Sequence, residues 1–221
     1  MLAVIPARGG SKGIYRKNLA MCGGRTLLQR AIDCAKQLTP HVVVSTDDDE
    51  IDALASIHGA KVIRAYPPLC HGDKSLGFDV WKHAFQAVSE PDCEWSIYLE
   101  PTAPLRTPYM LRKLIKEFKE GGVHYAQPLA FTVEDVPAKY HAARQFNLSG
   151  FAAQATLKGP HAPRQHRRPT FVKNGLLYIA HRRFFDDMWS VLPNLIPTLP
   201  TVNIDTYRDL EEAHLRVVNE R

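Results

Sequence analysis

The stretch Leu2-Ala-Val-Ile-Pro-Ala-Arg-Gly-Gly-Ser-Lys-Gly13 decides how this chain is read. A short apolar run, Leu2 to Pro6, passes at once into Gly9, Gly10 and Gly13. That is the pattern of a buried strand opening into a glycine-rich loop. In an open parallel sheet, ligands bind beyond the carboxyl ends of the strands. The glycines let the backbone approach an anion and turn N–H groups toward it. Arg8, Lys12 and Lys17 add positive charge: Arg as a bidentate fork, Lys as a movable point charge. A solvated turn would explain the glycines alone. With the cations, the stretch predicts a loop that holds an anion as large as a triphosphate. Neither the Gly-x-x-x-x-Gly-Lys-Ser/Thr loop nor Gly-x-Gly-x-x-Gly is present.

Outward from this stretch, strands and helices alternate. Thr26–Leu38 has helical spacing at Leu27, Leu28, Ala31, Ile32, Ala35 and Leu38, with Thr26 as N-cap. His41–Ser45 is a buried strand. Asp48–His58 is an amphipathic helix stopped at Gly59, and Lys61–Arg64 a strand. Ser75–Ser89 reads as a helix, Trp95–Leu99 as a strand, Pro108–Lys119 as a helix and Val123–Leu129 as a strand. This alternation implies right-handed βαβ units and an α/β fold with a mostly parallel sheet. It breaks after Ala130. Residues 131–170 are rich in Pro, Gln, His and Arg and are expected to form an excursion of hairpins or loops. Leu176–Ala180 returns to a strand, and Tyr207–Val218 closes with a helix.

Composition sets the outer bounds. The 221 residues suit one large domain, 1–221, with an excursion. Hydrophobic residues at 45% and charged residues at 23% are ordinary for a folded chain and exclude a disordered one. No apolar run approaches 18 residues, so no membrane helix is expected. The start of the chain lacks a basic region and a signal-length apolar stretch, which predicts a cytoplasmic protein. The widely spaced Cys22, Cys34, Cys70 and Cys93 form no Cys-x-x-Cys pair and are read as reduced packing residues. Cys70-His71 is read as a loop pair, not a metal site. A net charge of +5 points to an anionic partner without saying which.

Further segments carry chemistry. Glu100-Pro-Thr-Ala-Pro-Leu-Arg106 is a proline-fixed polar loop after a strand. Asp205 precedes a helix, which suits either a simple cap or a Mg²⁺ ligand. Mg²⁺ needs only one or two carboxylates beside substrate phosphates. Arg164 to Gly175 is strongly basic, but its few aromatics argue against a nucleic-acid platform and for a small acidic substrate or phosphate. Asp47-Asp48-Asp49-Glu50 offsets the dipole of its helix, with Asp47 placed to face the site.

Together these residues resemble the acylneuraminate cytidylyltransferases, the CMP-sialic acid synthetases. Ile5-Pro-Ala-Arg-Gly-Gly-Ser-Lys-Gly-Ile14 with Lys17-Asn18 is similar to that family's opening motif. Val43–Asp48, Glu100–Arg106, Asn174-Gly-Leu-Leu-Tyr178 and Ile204–Leu210 follow in the family's order. The resemblance implies a Rossmann-like α/β/α sandwich of the nucleotide-diphospho-sugar transferase type, dimerising through an excursion like 131–170. It implies transfer of CMP from CTP to a 3-deoxy-2-keto sugar acid, with Mg²⁺ and release of pyrophosphate. By position, Arg8, Lys12 and Lys17 become the triphosphate grip and catalytic cations. Gly9, Gly10, Ser11, Asn18 and Ser75 join Arg8 and Lys12 in binding nucleotide, with Asn18 at the cytosine. Glu100, Thr102, Arg106, Arg164 and Asn174 become sugar-site residues, and Asp205 the metal ligand.

Two positions depart from the family pattern. Glu100 stands where Gln is usual, and Asn203 where Asp is frequent. One carboxylate is lost at 203 and one gained at 100. Glu100 therefore either stands in for the missing metal ligand or retunes the acceptor. Other acidic acceptors (a 3-deoxy-octulosonate or a phosphonate), a base other than cytosine, and an inactive nucleotide-binding relative stay open. A nucleic-acid module is disfavoured, because the cations follow strand ends and glycine turns.

Overall fold

The computed structural model describes residues 1–64, 77–88, 93–120, 127–141, 144–149, 152–155, 169–188 and 191–219. Its strands are β1 (Leu2–Pro6), β2 (Met21–Cys22), β3 (Arg25–Thr26), β4 (Val42–Thr46), β5 (Lys61–Arg64), β6 (Trp95–Tyr98), β7 (Leu129–Asp135), β8 (Phe146–Ser149), β9 (Ala152–Ala155), β10 (Phe171–His181) and β11 (Asn194–Pro197). Its helices are α1 (Leu27–Lys36), α2 (Asp49–Ile57), α3 (Gly77–Ala87), α4 (Pro108–Glu120) and α5 (Tyr207–Asn219).

Seven strands form one sheet in the order β11-β7-β10-β6-β1-β4-β5. β1 pairs in parallel with β4 and β6, β4 with β5, and β7 with β11. Only β10 runs against its neighbours, β6 and β7. Alternation along β1 explains the layers. Ala3 and Ile5 face a core with Leu28 and Ile32 of α1, Ile51 of α2 and Leu111 of α4. Leu2 and Val4 face the other core, with Trp81 and Ala84 of α3 and the rings of Tyr98, Tyr178, Phe184 and Phe185. This is the expected α/β/α sandwich. The indole N–H deep in the aromatic layer is satisfied: Trp81 Nε1 donates to Ser96 Oγ at 2.7 Å, and that hydroxyl donates to the Leu2 carbonyl at 3.1 Å. A third cluster seats α5 on the β2–β3 hairpin through Cys22, Leu27, Ile204, Ala213 and Val217.

Helix starts follow their caps. Thr26 Oγ1 accepts from the Gln29 amide at 3.0 Å, and the Asp48 carboxylate from the Glu50 and Ile51 amides at 3.0 Å each. Thr206 and Asp209 cap α5 reciprocally, Asp209 accepting from the Thr206 amide at 2.7 Å and Thr206 Oγ1 from the Asp209 amide at 3.3 Å.

Some expectations need correction. Of the strand expected at 123–129, residues 123–126 lie outside the described residues; the strand described there is Leu129–Asp135, so residues 131–135 belong to the main sheet, not to the excursion. Covered on both faces, β7 buries Leu129, Ala130, Thr132 and Val133 and shows no alternation for a pattern reading to catch. Within the expected excursion, β8 and β9 do form a hairpin. The expected strand 176–180 extends over Phe171–His181. β11 and the β2–β3 hairpin are too short to show a period in the sequence. Among the described residues, no helix is long and apolar enough to cross a membrane.

Candidate active site

The carboxyl ends of β1, β4 and β6 bring three loops to one edge of the sheet, and antiparallel β10 delivers its amino-terminal half to the same edge. The register pairs Tyr178 with Tyr98, so Gly175 lies beyond the end of β6, against Glu100. The glycine loop after β1 is held from below. The Gly9 amide donates to Asp47 Oδ1 at 2.8 Å. Arg16, in left-handed backbone at φ 50°, grips both Asp48 oxygens at 2.7 and 2.8 Å and meets Glu50 at 3.0 Å. The two loops that follow β1 and β4 are thus clasped together by charge-assisted bonds. Asn18, buried, donates from Nδ2 to the Arg8 carbonyl at 2.9 Å and ties off the loop's start.

The loop also meets the segment ahead of α5. Lys17 Nζ donates to the Ile204 carbonyl at 2.8 Å and lies 3.2 Å from Asp205 Oδ1. A Cβ on Gly13 would stand 2.6 Å from the Asp205 carbonyl oxygen, so only glycine permits this approach. The expected triphosphate cation and the expected metal ligand are therefore neighbours, although 188 positions separate them in the chain. Asp209 accepts from the Asp205 amide at 3.0 Å, holding that residue's backbone. Burial, the largest single cause, raises the Asp209 carboxyl, but the Thr206 and Asp205 amides, the Thr206 hydroxyl and the Arg208 charge together outweigh it and leave the group below its ordinary value.

Arg106 stitches the other wall. It is 7% exposed, and its Nη2 donates to the Glu100 carbonyl and, at 3.1 Å, to the Gly175 carbonyl. Burial pushes its guanidinium down to about 10, against the pull of Cys34, Glu100 and Tyr178. The structure places Arg106 beneath the site, gripping backbone. Gly175, at φ 70°, sits where β10 shifts register between Lys173 and Tyr178. A Cβ there would lie 2.8 Å from Glu100 Oε2 and 3.4 Å from Asn203 Nδ2. Asn174 is buried, its Oδ1 accepting from Thr132 Oγ1 and its Nδ2 donating to Thr198 Oγ1, both at 2.7 Å. The Thr102 carbonyl accepts from the Ile204 amide at 2.8 Å, joining this wall to the α5 segment.

Glu100 is half-buried, and its carboxyl is pushed up from its ordinary value. Burial is the main cause; Arg106 and Lys173 oppose it, Asp205 adds to it and Lys17 opposes it. Burial and the Glu100 charge raise the Tyr98 and Tyr178 hydroxyls beneath. Gly10 and Lys12 are exposed at the loop tip, Arg8 and Ser11 half-buried. Ser75 and Arg164 lie outside the described residues. Sequence reasoning missed the Arg16–Asp48 clasp and the role of Gly175, which arise only across distant segments. It also missed Asp209, whose Thr-x-x-Asp spacing is a readable capping signal.

A cation such as Mg²⁺ fits this donor set. Glu100 and Asp205 offer hard carboxylate oxygens, and Asn203 Oδ1 is buried without a hydrogen-bond partner among the described residues. Among the described residues, no cluster of three or more His, Cys, Asp or Glu is placed to hold a metal ion.

The cytidylyltransferase family profile matches residues 2–218, nearly the whole chain. The chain belongs to the cytidylyltransferase family. Within it, this cytidylyltransferase-family chain is 31% identical to N-acylneuraminate cytidylyltransferase B of Danio rerio over 98% of its own length and 51% of the relative's. It is 33% identical to the N-acylneuraminate cytidylyltransferase of Escherichia coli O18:K1:H7 over 54% of its length and 28% of the relative's. It is 28% identical to the CMP-N,N'-diacetyllegionaminic acid synthase of Legionella pneumophila over 81% and 77%. The chain thus spans about half, or less, of several curated relatives. Its fold resembles that of CMP:2-keto-3-deoxy-manno-octonic acid synthetase solved with CTP, with a TM-score of 0.75, 18% identity and coverage of 100% and 99%.

Proposed function

We propose that this protein transfers CMP from CTP to a 3-deoxy-2-keto sugar acid of the nonulosonic, sialic type. The observation that carries this reading is the meeting of the glycine loop, Lys17 and Asp205 at one sheet edge in a chain of this family. In this reading the anomeric oxygen forms a bond to the α-phosphorus and the bond from that phosphorus to the bridging oxygen breaks. Pyrophosphate leaves with the electron pair, and the anomeric hydroxyl gives its proton to solvent. Arg8, Lys12 and Lys17 hold the triphosphate and stabilise charge developing on pyrophosphate. Gly9, Gly10 and Ser11 cradle phosphate with Arg8 and Lys12; Asn18 and Ser75 are assigned to base binding. Because Asp47 already accepts from the Gly9 amide, a phosphate reaching that amide displaces it. Glu100, Thr102, Arg164 and Asn174 belong to the acceptor side, and Arg106 fixes the loop that carries Glu100. Asp205 holds Mg²⁺, which when bound neutralises phosphate charge and orients the α-phosphate.

The protein works in this reading as a homodimer, formed through residues 131–170 and the adjoining sheet edge. Tyr140, Phe171, Val172, Leu195 and Leu199 support it, being large apolar side chains exposed there. An octulosonate acceptor is a second reading, favoured by 31% identity over 120 residues to the 3-deoxy-manno-octulosonate cytidylyltransferase of Polynucleobacter asymbioticus. Pyrophosphate release with Mg²⁺ and CTP tests both, against sialic, legionaminic and pseudaminic acids, a 3-deoxy-octulosonate and a simple phosphonate. Turnover with a nonulosonic acid and CTP alone is expected. Turnover only with the octulosonate selects the second reading. Silence across the panel with CTP still bound overturns both.

A further inference from the structure

We propose that Glu100 is the second carboxylate of the divalent-cation site, acting beside Asp205, and that the Asn203 amide aligns it. The inference rests on the nucleotidyl-transfer reading above. Three observations meet at this point. Glu100 Oε2 and Asn203 Nδ2 converge over the same glycine, 2.8 and 3.4 Å from where a Cβ on residue 175 would stand. The missing side chain of Gly175 leaves room for a carboxylate and an amide to share one wall. Second, Asn203 Oδ1 is buried with no hydrogen-bond partner among the described residues. A hard cation would satisfy such an oxygen, whereas a packing role would leave it at a cost.

Third, the electrostatics join Glu100 to Asp205. Lys17, 3.2 Å from Asp205 Oδ1, acts favourably on the Glu100 charge, and Asp205 acts against it. Asn203, which meets Glu100 over Gly175, stands two residues before Asp205 on the segment that Lys17 anchors through the Ile204 carbonyl, so the two carboxylates are carried by neighbouring walls of one site. Arg106 holds the Glu100 and Gly175 carbonyls from below, so the carboxylate stands on fixed backbone. Glu100 thereby contributes one negative charge to a wall on which Asn203 contributes none.

The test moves that charge across Gly175. Mn²⁺ binding is followed by the loss of its free electron-paramagnetic-resonance signal, with a CTP analogue bearing methylene between the α- and β-phosphates. Glu100→Gln is expected to weaken Mn²⁺ about tenfold or more. The Glu100→Gln/Asn203→Asp double variant, carrying the carboxylate on the other side of the glycine, is expected to recover most of that loss. Glu100→Asp, which keeps charge but shortens reach, is expected to fall between. Unchanged Mn²⁺ affinity in Glu100→Gln, with the analogue bound and the melting temperature retained, overturns the assignment and leaves Glu100 to the acceptor alone. Wild-type protein that binds the analogue but no Mn²⁺ with it also overturns it, while sparing the nucleotide reading. Failure of the wild type to bind the analogue overturns the nucleotide reading itself.

Discussion

Gly175 shows how much one residue decides. Its left-handed backbone lets β10 shift register, and its missing side chain leaves room for Glu100 and Asn203. Gly175→Ala meets both constraints at once. The backbone conformation alone costs an L-residue about 1–2 kcal/mol, and the Glu100 carboxylate must also move. We expect a lower melting temperature together with a larger fractional fall in kcat/KM, read by thermal denaturation and pyrophosphate release. A variant that is less stable but fully active would show that Glu100 tolerates displacement. Lys17 makes the same point by contact: its ammonium joins the first loop to the last helix's leader, which no local sequence window contains.

At the scale of elements, α5 is the part whose start matters most, because Asp205 stands just before it. The Thr206–Asp209 box fixes that start and holds the Asp205 amide. Removing the Asp209 side chain should cost about 1 kcal/mol at neutral pH. The sign of its pH dependence follows from its depressed value. Its stabilisation is present above the ordinary value of 3.8 and is lost as pH falls through the lower folded-state value. The stability advantage of wild type over Asp209→Asn should therefore hold at pH 5 to 7 (about neutral and mildly acidic) and shrink only in strong acid. Urea midpoints measured against pH check this; a constant difference down to the lowest pH would mean that the carboxylate charge does not carry the stabilisation. Helix α2 follows a related logic, since its cap Asp48 also grips Arg16 and so couples a helix start to the glycine loop.

At the scale of the whole molecule, the sandwich covers both faces of the central strands, and among the described residues no strand pairs with the outer side of β11. Edge strands with exposed apolar side chains pair with something or aggregate. Leu195 and Leu199 are 46% and 86% exposed there. Replacing both with Glu should shift a dimer toward monomer in light scattering without unfolding the chain. A dimer that persists in the variant would place the interface elsewhere.

The sequence by itself determined the layered α/β fold, the glycine loop at its first strand end, and five helices with the Thr26 cap of α1 and the Gly59 stop of α2. Those features are local: periodicity, a capping side chain or a glycine cluster reports them within a dozen or so residues. It also brought forward the residues that now line one sheet edge, from Arg8 to Asp205. The tertiary structure alone decided the reversed direction of β10, the place of β7 in the sheet, and the burial of Arg106 and Asn174. It alone set Lys17 against Asp205 and Glu100 against Asn203 across Gly175. The physical reason is that strand order, burial and charge pairing depend on segments far apart in the chain, and only packing brings those segments within bonding distance.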